Sequence, residues 1–324
     1  MAKQTAWAFP ANLQPDPAEV RFDLAATLDA VVMLRAEVPE DAFTAGVLGT
    51  ERVGSGVVIR DDGLILTIGY LITEASAIWL TTNAGKVVQG HPLAYDQSSG
   101  LGLVMPLGRL GLAPIERGTA AAAMVGDDVF VVGHGGREHA LRAKVVAKRE
   151  FAGYWEYVLD EAIFTAPAHP QWGGAALVGE NGRLLGIGSL LVQEALAGHE
   201  VQGNMVVPID LLKPVFEDML ATGQPRRSPR PWLGMYVTEF KDHLVVGGLA
   251  DDGPAERAGV KLGDIVMEVG GEKPAGLAAL FRRVWSLGDA GVDVPFTLAR
   301  DRKRVDLTVR SADRNDFLKK PQLH

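Results

Sequence analysis

Thr165-Ala166-Pro167-Ala168-His169-Pro170-Gln171-Trp172-Gly173-Gly174-Ala175-Ala176-Leu177-Val178-Gly179-Glu180-Asn181-Gly182-Arg183-Leu184-Leu185-Gly186-Ile187 reads as a loop, a short buried strand, a tight turn and a second buried strand. Two prolines and the pair Gly173-Gly174 punctuate the loop. Asn181-Gly182, between two apolar runs, is a hairpin signal.

Around this stretch lies a chain of ordinary globular composition, 324 residues with 47% hydrophobic and 22% charged, long enough for two or three packed units. It has no cysteine, so disulfide frameworks and thiolate metal sites are excluded. A net charge of -8 argues against a general nucleic-acid binder, which needs a basic face to displace counterions from phosphates. The first ten residues lack the apolar core of a secretory signal, and no apolar run has membrane length. The expectation is a cytoplasmic protein without membrane insertion.

Residues 1–24 carry Pro10, Pro15 and Pro17 and read as an extended arm bearing Trp7 and Phe9. A β-rich pattern begins at Leu28–Val38. Gly54-Ser55-Gly56-Val57-Val58-Ile59, a turn at Asp61-Asp62-Gly63, and Leu64-Ile65-Leu66-Thr67 follow as a hairpin. Ser55 between two glycines marks a strand that another backbone approaches closely, rather than a nucleophile. His134 and His139 sit five apart in a glycine loop. With His169 they suggest a metal cluster or a displaced base, but the spacing shares no face and points to a solvated loop. Leu211–Leu220 reads as a helix with Gly223 near its C-cap. Residues 223–231, rich in proline and arginine, form a stiff linker. A second module starts at Trp232 and ends near residue 310, before an irregular tail over 311–324. Within it the helix Leu277–Leu287 offers two apolar stripes, Leu280/Val284/Leu287 and Leu277/Phe281/Trp285, and the sequence leaves open which one lines a groove.

The glycine-rich hairpin, Asp96 within Ala94–Val104, the strand Val125–Gly133, the Gly173-Gly174 loop and Gly253-Pro254-Ala255-Glu256-Arg257-Ala258-Gly259-Val260-Lys261-Leu262-Gly263-Asp264-Ile265-Val266 together resemble the HtrA/Deg-type serine proteases over residues 25–310. The last of these is the most specific match. The resemblance implies a mainly β fold: a trypsin-like double six-stranded β-barrel over 25–222, divided into about 25–114 and 115–222, and then a PDZ domain over 232–310. It also implies a catalytic triad, and all three of its positions are altered. Tyr70 stands where the family has its histidine base, Gly100 where it has the orienting aspartate, and Gly173 where it has the nucleophilic serine. Tyrosine titrates near ~10 and is a poor base at neutral pH; glycine supplies neither carboxylate nor hydroxyl. Gln171 replaces an oxyanion-loop glycine, so that site is altered too.

The expected function is that of an HtrA-like homologue without peptidase activity, binding unfolded polypeptides or protein C-termini as a scaffold, chaperone-like or regulatory protein, with no cofactor and no metal. Leu233, Gly234 and Met235 form the expected carboxylate loop, and Tyr236 and Val237 the pairing strand. Two alternatives stay open: an active endopeptidase with relocated groups, which needs Ser98 or Ser99 near His169 or His134, and a silent subunit mixed with an active relative. The resemblance also allows a homo-trimer clamped by Trp7 and Phe9, against the simpler reading that these rings lie on their own domain, and a periplasmic location in place of the cytoplasm.

Overall fold

The computed structural model describes residues 7–320, so the first six residues of the arm and the last four of the tail lie outside the described residues. The chain forms two compact units. Among the described residues one comprises 7–149, 161–226 and 319–320, the other 150–160 and 227–318.

The first unit holds two closed barrels. Strands β1 (Val31–Glu37), β2 (Glu51–Val58), β3 (Ile65–Ile68), β4 (Ala77–Thr81), β5 (Val87–Tyr95) and β6 (Leu101–Pro106) close in the order β1-β2-β3-β6-β5-β4. β7 (Asp128–Val132), β8 (Ala140–Gly153), β9 (Tyr157–Ala166), β10 (Ala176–Gly179), β11 (Leu184–Val192) and β12 (Gly203–Pro208) close as β10-β11-β12-β9-β8-β7. Closure removes sheet edges, and inward Val, Leu and Ile side chains such as Leu34, Leu66, Ile78, Leu141 and Ile187 are almost fully buried.

Several local expectations are refined. Leu28–Val38 is not one strand: Asp23 Oδ1 accepts from the Ala26 N–H at 3.0 Å and starts a helix, Leu24–Asp29, before β1. The helix expected at Leu211–Leu220 begins later, at Phe216, after a 3-10 turn over Ile209–Leu211, because Pro214 disfavours helical backbone in the residue before it. Gly223, at φ 77°, caps its end.

The second unit is a sheet in the order β13-β14-β15-β16-β17, formed by β13 (Met235–Phe240), β14 (His243–Leu249), β15 (Ile265–Val269), β16 (Asp293–Arg300) and β17 (Lys303–Arg310), with the helix Leu277–Ser286 packed on it. Asp264, fully buried, is held by Arg300 at 2.6 Å, so the Gly-Asp of the sequence motif anchors the sheet. Two features of this unit depart from the expected boundaries. The tip of the β8–β9 hairpin, residues 150–160, belongs to it, with Val158 in its core. The tail as far as Leu318 also belongs to it: Trp232 and Ala312 exchange backbone hydrogen bonds at 3.0 Å, and Phe317 packs on the Trp232 ring at 4.7 Å. Covering a large buried ring is what holds it there.

Candidate functional site

In the first unit the Gly173-Gly174 loop is clamped by backbone. Ser55 N–H donates to Gly173 O at 2.8 Å, and Gly174 N–H donates to Gly188 O at 2.9 Å. Gly54 is glycine by necessity, since a Cβ there would lie 2.6 Å from Gly173 O. The Gly-Ser-Gly segment is therefore a strand of close backbone approach.

Gly173 differs from its neighbours. Its φ lies outside the left-handed region, and the one atom within 3 Å of an added Cβ is Tyr70 Oη, at 2.9 Å. Tyr70 sits in the single turn Gly69–Leu71 after β3 and donates its hydroxyl hydrogen to Ser189 O at 2.9 Å. The tyrosine hydroxyl thus fills the space into which a residue-173 side chain would project. Burial raises its pKa well above the ordinary tyrosine value, so it is a neutral donor, not a base. Gly100 closes a turn begun by Asp96: Gly100 N–H donates to Asp96 O at 2.8 Å, and Gly100 adopts φ 78°. Asp96 accepts from the Ser98 N–H and from the Ser99 N–H and Oγ–H, which ties both serines to that turn. Gln171 is not left-handed, and its N–H donates to His169 Nδ1 at 3.0 Å, so this loop amide is already used.

The three histidines do not form a solvated loop. His169 is fully buried, its Nε2 is 2.9 Å from His139 O, and Trp7 and Phe9 pack edge-on against it. Trp7 also meets His139 at 4.4 Å, so Trp7 and Phe9 both lie on their own chain. Burial lowers the pKa of His134 and of His169 to about 4, leaving both neutral. Ser55 Oγ lies 3.1 Å from His134 Nδ1 and accepts from the His134 N–H at 3.1 Å. With its members 79 residues apart, this serine–histidine pair was not among those expected from the sequence. Ser55 is fully buried, which denies its oxygen to a substrate carbonyl. No group of three or more His, Asp or Glu able to hold a metal occurs among the described residues.

In the second unit β13 lies at one end of its sheet. Before it, Gly234 at φ 68° turns the backbone so that three successive amides converge. They converge on Glu156. Its Oε1 accepts from the N–H groups of Leu233 (3.1 Å), Gly234 (2.7 Å) and Met235 (3.1 Å), and its Oε2 from Leu233 (3.0 Å). Tyr154 O accepts from the Val237 N–H at 3.2 Å. Burial pushes the Glu156 carboxyl up to about 7 against the pull of these amides. The sequence predicts the nest but not its occupant, because Glu156 lies 77 residues from Leu233.

Beyond the nest a cavity of about 590 Å³ opens between β13 and the helix, lined by Tyr154, Val237, Glu239, Leu277, Ala278 and Arg282 among others. Neither helix stripe divides as expected. Leu280, Phe281 and Val284 are core, Trp285 stacks on Phe281, and the cavity side carries Leu277, Ala278, Ala279 and Arg282.

A trypsin-like peptidase domain model matches residues 54–187, and a PDZ domain model matches residues 231–310. The chain joins a trypsin-like peptidase domain to a PDZ domain. It is 27% identical to the serine protease PepD of Mycobacterium tuberculosis over 298 residues, covering 83% of itself and 60% of the relative. It is 25% identical to the periplasmic serine endoprotease DegP of Escherichia coli over 272 residues, covering 79% of itself and 56% of DegP. It therefore spans less than two thirds of the length of either relative. The HtrA-type protease AlgW with tripeptide has the same fold, with a TM-score of 0.52 at 19% identity over 93% of this chain and 99% of the other. So does the serine endoprotease from Yersinia pestis, with a TM-score of 0.51 at 21% identity over 91% and 99%. No helix among the described residues is long and apolar enough to cross a membrane.

Proposed function

We propose that this HtrA-type chain is catalytically silent and works by binding unfolded polypeptides or protein C-termini through its PDZ groove. The observation that carries the reading is Tyr70: its neutral hydroxyl takes the space beside Gly173 where an attacking side chain would stand. Base, orienting carboxylate and nucleophile are absent together from positions 70, 100 and 173. The relocated alternative loses support, since the Ser99 hydroxyl is spent on Asp96, the Ser98 amide holds that residue in the same turn, and Ser55 of the Ser55–His134 pair is fully buried. Incubated with a fluorophosphonate probe, the purified chain is expected to stay unlabelled, and an unfolded protein substrate to stay intact. Stoichiometric labelling of any serine overturns the reading. Of the two compartments weighed, the name of the DegP relative favours the periplasm.

For the groove, a ligand adds as a strand along β13 and delivers its terminal carboxylate to the amides of Leu233, Gly234 and Met235. Charge-assisted hydrogen bonds of this kind are worth roughly 1.5 to 3 kcal/mol each. Amidating the C-terminus of a bound peptide is therefore expected to weaken it at least about tenfold in fluorescence anisotropy. Equal affinities of acid and amide would mean that the loop does not read a carboxylate.

A further inference from the structure

We propose that Glu156 is a built-in competitor, a side-chain carboxylate that occupies the amide nest of the PDZ groove and must leave before a polypeptide C-terminus can enter. The proposal rests on the reading of that groove as a C-terminus site. Three consecutive backbone amides, Leu233, Gly234 and Met235, donate to one carboxylate, as they would to a chain end. The imitation extends to the main chain: two residues earlier, Tyr154 O accepts from the Val237 N–H, the bond a strand added to β13 would make. The two carboxylates cannot share the nest, because the same N–H groups would have to serve both.

The occupant is held by means that can be released. Glu156 adopts φ 62°, a left-handed conformation unfavourable for a residue with a β-carbon. Its carboxylate gives up water on burial, a cost the amides offset. Further down the hairpin Arg282 pairs with Glu150 and Asp160, which are substantially exposed and so contribute little, while Val158 packs in the core of the unit, so release is expected of the turn carrying Tyr154 and Glu156 rather than of the whole hairpin. The cavity lined by Leu277, Ala278 and Ala279 stays open, leaving room for upstream residues of a ligand once the tip withdraws. A Glu156 that merely braced the fold would have no reason to imitate a ligand at both the carboxylate and the strand.

The test uses the full chain. Fluorescein-labelled decapeptides with free carboxylates, ending in Val, Leu or Phe, are selected on the Glu156→Ala variant and then titrated into wild type, Glu156→Ala and Glu156→Gln by anisotropy. Glu156→Gln keeps the shape of the side chain without its charge, and thermal melts confirm that both variants are folded. Both are expected to bind at least about tenfold more tightly than wild type, with the gain lost when the peptides are amidated. Equal or weaker binding by the folded variants, with the free acid still preferred to the amide, overturns the competitor and leaves the C-terminus site standing. Absence of any acid preference in all three proteins overturns both.

Discussion

Placing serine at position 173 alone is expected to leave the chain without measurable peptidase activity. The backbone at Gly173 accepts a side chain, so the variant folds, but the new Cβ lands 2.9 Å from Tyr70 Oη and the tyrosine and serine compete for one space. Tyr70 cannot take the serine proton, being held neutral as a donor to Ser189 O, and the loop's own imidazole, His169, is already engaged by the Gln171 N–H and His139 O. In enzymes of this chemistry the loss of nucleophile or base alone costs on the order of a millionfold, and loss of the aspartate about ten-thousandfold. Restoring one of the three therefore recovers almost nothing. Gly100 adds an obstacle, because an aspartate there would have to adopt φ 78°. A fluorogenic peptide assay with active-site titration checks this for Gly173→Ser, and rapid turnover in that single variant overturns the assignment of positions 70, 100 and 173.

Gly174→Ala, one residue along, is expected to destabilise the first unit by at least about 3 kcal/mol, seen as a drop of roughly 6 to 12 °C in its melting temperature. Gly174 adopts φ 77°, and a Cβ there would lie 1.9 Å from Ser55 O and 2.7 Å from Thr67 Oγ1. Neither atom can retreat cheaply: Thr67 Oγ1–H donates to Ser55 O at 2.7 Å, and the Ser55 N–H is bonded to Gly173 O. The adjacent glycines thus answer to different constraints, Gly174 to backbone geometry and Gly173 to the presence of Tyr70. Thermal melts of Gly173→Ala beside Gly174→Ala separate the two, and equal melting temperatures would refute the distinction.

The fold was legible because its signals are local. The hairpin turns, the apolar strands around Gly173-Gly174 and the Pro-Ala…Ala-Gly…Gly-Asp segment each encode a backbone conformation within a few residues, and Gly223 ends its helix as read. Pro214 was present too, yet the apolar spacing of Leu211–Leu220 hid the break it imposes.

The sequence by itself determined which chemical groups stand at positions 70, 100 and 173, since an absent hydroxyl, imidazole or carboxylate is a matter of composition. Only the tertiary structure decided what those residues do instead. It laid Tyr70 over Gly173 with its hydroxyl on Ser189, 119 residues away, and packed His139 and His169 against Trp7 and Phe9. It also brought Glu156 to the amides of Leu233–Met235. The physical reason is one of range. Turn and strand propensities act between neighbours along the chain, whereas a side chain that fills a cleft or an amide nest is chosen by the closing of barrels and the reach of a hairpin, over separations that no local pattern records.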